Sequence, residues 1–402
     1  MKRRTALLTP WLAASAAAQT APTTAAAHAA AAAELTDATR PALKPIDRLA
    51  AAWQQKGSAA ELGASKPDSG SFLSGVLQID WEAGQVNIVH AVPLPSRAHG
   101  LLALPDGGWL TLANRPGRWL LRCDPNGAPQ LLQTMAGETR TLNGHAALSP
   151  CGRWLFTTET DPHSGQGWLG QRELQSLALV AEFPSHGVDP HHLLWAANGS
   201  LMVANGGIAR DALGRKQSDR PMTSSLVQID ARGGRLLGRW QLADPQLSIR
   251  HLAWAAGAAG GNALLGVALQ AEHESPAQRL EAPTLALWDG AQLRLPTDDT
   301  RGGGYAGDIA AGPGGGFVIS AQKQGRALWW QPRCPELMTV VAEVTEPCAL
   351  VSSDDGAGIC LGAGRGVARW HSQQGAQMLR WPAALAPDNH WVRLHSTEVP
   401  TG

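Results

Sequence analysis

Residues 99–113 (HGLLALPDGGWLTLA), 144–158 (GHAALSPCGRWLFTT) and 191–205 (HHLLWAANGSLMVAN) follow one plan. Each is an apolar strand, a short turn with Asp, Cys or Asn before Gly, and a second apolar strand. Residues 250–269 repeat the plan with a longer turn, and 307–321 and 347–362 repeat it twice more. Aligned on the turn glycine, the units begin near 99, 144, 191, 250, 307 and 348. Intervals of about 40–60 residues match one four-stranded propeller blade. Further strand pairs, such as 225–240 and 326–342, supply the outer strands of a blade. Two pieces remain: 71–94 gives outer strands without an inner one, and 388–394 an inner strand without outer ones. Joined, they make a seventh blade closed between the two ends of the chain, which ties the termini together and removes open sheet edges. The expected fold is an all-β, seven-bladed β-propeller. Counting is weakest at the ends, so six or eight blades stay open.

Composition agrees with many short strands and tight turns: 45 Gly and 27 Pro in 402 residues. Lys+Arg and Asp+Glu are both 33, so no basic stripe marks a nucleic-acid surface and no acidic block a solvating tail. Most of the 16 Trp are expected to pack between sheets. Five cysteines (Cys123, Cys151, Cys334, Cys348, Cys360) form no CxxC pair, and an odd number leaves at least one thiol unpaired within a chain.

The chain divides by composition. Residues 1–33 read as an export signal and low-complexity tether, with a basic start (Lys2, Arg3, Arg4), a short apolar stretch and a small-residue cut near Ala16 to Ala18. Arg3-Arg4 makes an imperfect twin-arginine signal, and general secretion stays open as the route. Residues 34–70 read as a linker with one short helix at 46–57, residues 71–395 as the propeller, and 396–402 as a tail. The apolar start is too short for a membrane span, so a periplasmic protein is expected.

In a propeller the innermost strand of each blade lines the central channel. The first residues of these strands are His99, His145, His191 with His192, Arg250 with His251, Asp308, Cys348 and His390. Six of the 13 histidines thus fall at one place in the repeat. Imidazoles converging on a channel suit a transition metal, and a thiolate from Cys348 would bias the choice toward copper or zinc. Equally, buried histidines there can bond to the carbonyls of neighbouring blades and hold the blades in register. Arg250 has the geometry to grip a carboxylate or phosphate, or to bridge blades as an ion pair. Glu159, in TTETDPHSGQGWLG, is a further ligand candidate, although its stretch reads first as a long hairpin with a glycine-rich turn. There is no nucleophile elbow and no phosphate-binding glycine loop, so no catalytic residue is assigned.

The blocks GHAALSPCGRWLFTTETDPHSGQGWLG, FPSHGVDPHH, VANGGI, LSIRHLAW, GYAGDIAA, PCAL and DNHW, in this order, resemble the bacterial family known as domain of unknown function 1513. The resemblance runs from about Ser71 to Leu394. It implies an exported propeller of the broad quinoprotein or lactonase-like type, with a role in periplasmic iron acquisition beside imelysin-type proteins. The motif histidines resemble His99, His145, His191, His251 and His390, and the motif cysteine Cys348. This chain departs at His192, where Glu is common, and at Asp308, where a small residue is common.

The expectation is a periplasmic ligand-binding propeller that holds a metal, iron or copper, on His99, His145, His191, His251, Cys348 and His390. Arg250, Asp308, Glu159 and His192 complete the candidate ligand site. The partners expected are a metal ion or small molecule and, with them, periplasmic iron-uptake proteins. Two rivals stand beside this reading: a non-catalytic interaction scaffold, and an enzyme of lactonase or quinoprotein type.

Overall fold

A computed structural model describes residues 45–55, 71–135, 139–255 and 264–394. These form seven four-stranded antiparallel sheets, the blades of a β-propeller. Blades 1 to 6 occupy 98–134, 141–188, 190–240, 247–294, 309–343 and 350–380. Blade 7 joins the last strand, Leu385–Arg393, to the first three, Ile46–Gln55, Ser71–Asp80 and Gln85–Pro93. The export signal, the cut site and the tail lie outside the described residues. No helix of the described residues is long and apolar enough to cross a membrane.

The core is a ring of apolar clusters, each shared by two neighbouring blades. Leu110, Leu142 and Leu155 seal blades 1 and 2, for example, and Phe156, Leu193 and Val227 seal blades 2 and 3. The ring closes because blade 7 packs on both sides: Leu77 and Trp391 meet blade 6, whereas Val76 and Val92 meet Trp109 of blade 1. Trp109 is fully buried and donates its Nε1–H to Ser74 Oγ at 3.1 Å. Burying one such large apolar side chain contributes about 1.5–3 kcal/mol, so every blade junction is a substantial source of stability.

The chain ends are closed differently from the sequence expectation. The helix expected at 46–57 is a strand, Ile46–Gln55, so the propeller starts at residue 46 rather than 71. It lies between the last strand and Ser71–Asp80, with Ala51 opposite Trp391 on one side and Gly75 on the other. Its two faces pack on different blades: Leu49, Ala51 and Trp53 toward blade 6, Ala50 and Ala52 toward blade 1. With both faces buried, no polar alternation is left to mark the strand. Alanine's helix preference is weak, and contacts with neighbouring strands override it here. Arg393 pairs with Asp47, which also accepts Trp81 Nε1–H at 2.8 Å, so last and first strands are joined by charge as well as by the ladder.

Candidate metal centre

The inner strands of blades 1, 2, 3, 4 and 7 are each interrupted by a bulge. The register skips between Ala98 and Leu101, Leu142 and Ala146, Pro190 and Leu193, and Ile249 and Leu252. In blade 7 it skips between Pro387 and Trp391. The skipped residues include His99, His145, His191, His192, His251 and His390. A bulge re-aims side chains that a regular ladder would point between blades. Here it turns one imidazole or more from each of five blades toward the others.

Glycines let these strands approach. A Cβ on Gly100 would stand 2.1 Å from Gly144 O, and one on Gly144 would stand 2.6 Å from His99 Cδ2. Gly144 also has φ +100°, a conformation costly for any other residue. Gly144→Ala is therefore expected to displace the His99 ring and destabilise the fold by about 1–3 kcal/mol. A thermal or urea denaturation series checks the stability loss, and an unaltered midpoint contradicts this packing.

The imidazoles form one buried group. His99, His145, His251 and His390 each offer a nitrogen, and all four lie within 4.8 Å of one another. His191 joins them, its Nε2 2.9 Å from His251 Nε2 and its ring 4.8 Å from that of His145. All five are less than a tenth exposed. His99 Nε2, His145 Nε2, His191 Nδ1, His251 Nδ1 and His390 Nε2 are buried without a protein hydrogen-bond partner. Each such orphan costs about 1–3 kcal/mol unless something else occupies it, and several in one place point to a ligand.

Charge agrees with that geometry. Burial first, then the neighbouring imidazoles and arginines, hold His99, His145, His191 and His251 well below the ordinary histidine pKa. Neutral imidazoles keep a lone pair, which is what a metal requires. His390 Nδ1 faces Asp308 Oδ2 at 3.4 Å, which favours the tautomer with Nε2 unprotonated toward the cluster. The ring backbones are also tied: Thr158 Oγ1–H reaches His191 O at 3.1 Å, and Asn143 Nδ2–H donates to Pro190 O at 2.8 Å.

The remaining sequence candidates take other places. His192 packs its ring 4.7 Å from that of His145, but its Nδ1 accepts the Leu252 N–H at 3.0 Å, joining blade 3 to blade 4. Asp308 accepts the Ile309 and Leu350 amides, both at 2.9 Å, and so orients His390 while bridging blades 5 and 6. Cys348 lies in the apolar cluster between blades 6 and 7 and donates Sγ–H to Gly362 O at 3.3 Å. Burial raises its pKa to about 12, which keeps it a thiol. Glu159 is fully buried within blade 2, 2.9 Å from Arg172 and 2.6 Å from Thr157 Oγ1, outside the imidazole group. Arg250 is held by Asp189 at 2.9 Å. Asp189, Arg115 and Arg210 carry no repeat signal; they were found only in the structure, because their pairing crosses three blades.

Solved structures similar to this chain show the fold alone. Virginiamycin B lyase from Staphylococcus aureus, in selenomethionine form, is 11% identical with a TM-score of 0.52, over 84% of this chain and 99% of that one. A hydrazine synthase from Kuenenia stuttgartiensis is 13% identical with a TM-score of 0.53, over 78% and 93%. A catalytically inactive variant of the S. aureus lyase with quinupristin is 12% identical with a TM-score of 0.50, over 79% and 95%. No curated protein matches the chain. One family does, described as "Protein of unknown function (DUF1513)", over residues 92–394, which takes in blades 1 to 6, the last strand and every imidazole of the cluster. The chain belongs to this family.

Proposed function

We propose that the propeller binds one transition-metal ion, iron or copper, on the imidazoles of its central channel, and does so in the periplasm in support of metal acquisition. The observation that carries the reading is the group of buried imidazoles, four of which bring a nitrogen within 4.8 Å of one another and each of which keeps one ring nitrogen without a protein partner. Nitrogens bound to one ion at roughly 2.1 Å sit roughly 3–3.4 Å apart, so small ring rotations would bring the set onto a metal. An all-imidazole set suits iron, copper and zinc, and without Cys348 the bias of a soft thiolate is removed. Asp308 behind His390 supplies the carboxylate support that metal-bound histidines usually have. The basic and then apolar start of the chain supports export.

Elemental analysis of the mature protein, purified after native export, tests this directly. Close to one equivalent of iron, copper or zinc per chain is expected. No bound metal, even after reconstitution with each ion in turn, overturns the reading and leaves the histidines as packing groups of a binding scaffold.

A further inference from the structure

Beside the imidazoles lies a second buried cluster of excess positive charge. Arg115 Nη1 and Arg250 Nη1 donate to the two oxygens of Asp189 at 2.7 and 2.9 Å, and Arg210 Nε lies 3.5 Å from Oδ1. Among the described residues Asp189 is the one carboxylate in ion-pair contact with these three guanidiniums. The group therefore carries two positive charges more than it neutralises. Arg250 and Asp189 are buried, and Arg250 Nε has no hydrogen-bond partner. The side chains of Arg115 and Arg210 keep 21% and 22% exposure, so solvent reaches the group from one side. The two clusters share strands: Arg250 and His251 occupy one skipped register between Ile249 and Leu252, and Asp189 stands just before the strand Pro190–Trp195 that carries His191.

A bare cation among the imidazoles would meet this surplus at short range, where charges of like sign repel strongly. An anion that arrives with the metal removes the conflict. We propose that Arg115, Arg210 and Arg250 form an anion subsite, which takes a small carboxylate or like oxyanion together with the ion held by the imidazoles. The coupling to metal rests on the function proposed above; the anion subsite itself does not. Guanidinium forks match planar oxyanions in shape and stay charged at any physiological pH. Gly206 packs directly against the pair, since a Cβ there would stand 2.9 Å from both Arg250 Nη1 and Asp189 Oδ2.

Metal-stripped protein and the Arg115→Gln/Arg210→Gln variant would be dialysed to equilibrium against radiolabelled oxalate and, separately, phosphate. Copper(II) retention would then be measured at fixed free copper, with and without oxalate. Wild type is expected to bind one equivalent of oxalate, and the variant to bind it at least roughly tenfold more weakly. Oxalate should tighten copper binding at least tenfold in wild type and not in the variant. Bare copper should bind the variant as tightly as wild type or more so, because repelling charge has been removed. A preference for phosphate over oxalate supports the subsite and assigns it the phosphate source.

If copper binds but neither anion does, the subsite is overturned and the metal reading stands. If oxalate binds wild type alone and no metal ever binds, the subsite stands and the metal reading falls. If the variant loses copper equally with and without oxalate, the arginines are only a latch between blades and the proposal fails. Circular dichroism confirms folding, and the single Arg210→Gln variant replaces the double one should that not fold.

Discussion

Metal retention is expected to fall by roughly a thousandfold or more when His145 and His251 are both replaced by alanine, with the fold kept. Loss of one outer-sphere support costs metal sites about 10–100-fold, and here two of the four converging nitrogens are lost outright. His99, His191 and His390 are left, and of these His191 has lost the His251 nitrogen that stands 2.9 Å from its own. The fold should survive because both side chains carry orphaned nitrogens, so truncation trades a cavity for relief of unsatisfied polar atoms. His192→Ala makes the opposite prediction. It removes the acceptor of the Leu252 amide and should cost about 1–3 kcal/mol of stability while leaving metal content near wild type. Elemental analysis beside urea denaturation separates the two patterns. Equal metal loss in both variants, or full retention in His145→Ala/His251→Ala, contradicts the assignment of the centre.

The contrast between His192 and its neighbour shows what was legible beforehand. The repeat marked blades 1 to 6 and placed five histidines at equivalent positions, because one blade is one unit of sequence and the inner strand always begins it. The bulges that turn those rings inward had no signature, since a skipped register changes no residue type. Cys348 occupies the same repeat position as the histidines, yet its blade has a three-residue inner strand, Leu350–Ser352, and the thiol stays in the apolar seam. Ile46–Gln55 was hidden because burial on both faces erases alternation. Glu159 stays a ligand candidate in the sequence, beside the hairpin reading, because its partner Arg172 stands thirteen residues on, across the hairpin. Pairings across blades, such as Asp189 with Arg115 and Arg250, are further still from view, because they depend on ring closure.

The same buried imidazoles should make the metal-free protein unusually sensitive to mild acid. Unfolded histidine titrates near 6.5, whereas His99, His145, His191 and His251 are held well below that value and His192 at about 3. Below pH 6.5 the unfolded chain therefore binds protons that the folded one refuses. Stability rises with pH wherever the unfolded state holds more protons, so here it is complete above about 6.5 and is lost as pH falls below it. Each side chain that stays unprotonated costs about 1.4 kcal/mol per pH unit in that window. The histidines together cost more than one but less than their sum, because each is held down partly by charge on the others. Asp189, which Arg115, Arg250 and Arg210 hold below the usual carboxylate range against the effect of burial, adds its loss only below pH 4 and does not blur the window. Urea midpoints of metal-free protein should fall steeply between pH 7 and 5.5, and those of His145→Ala/His251→Ala less steeply, since two of the refusing groups are gone. A bound metal keeps the lone pairs occupied and should move the whole loss to lower pH. Midpoints that stay level across this range in the metal-free protein would mean that the imidazoles take up protons without opening the channel, and the buried, neutral cluster would have to be abandoned.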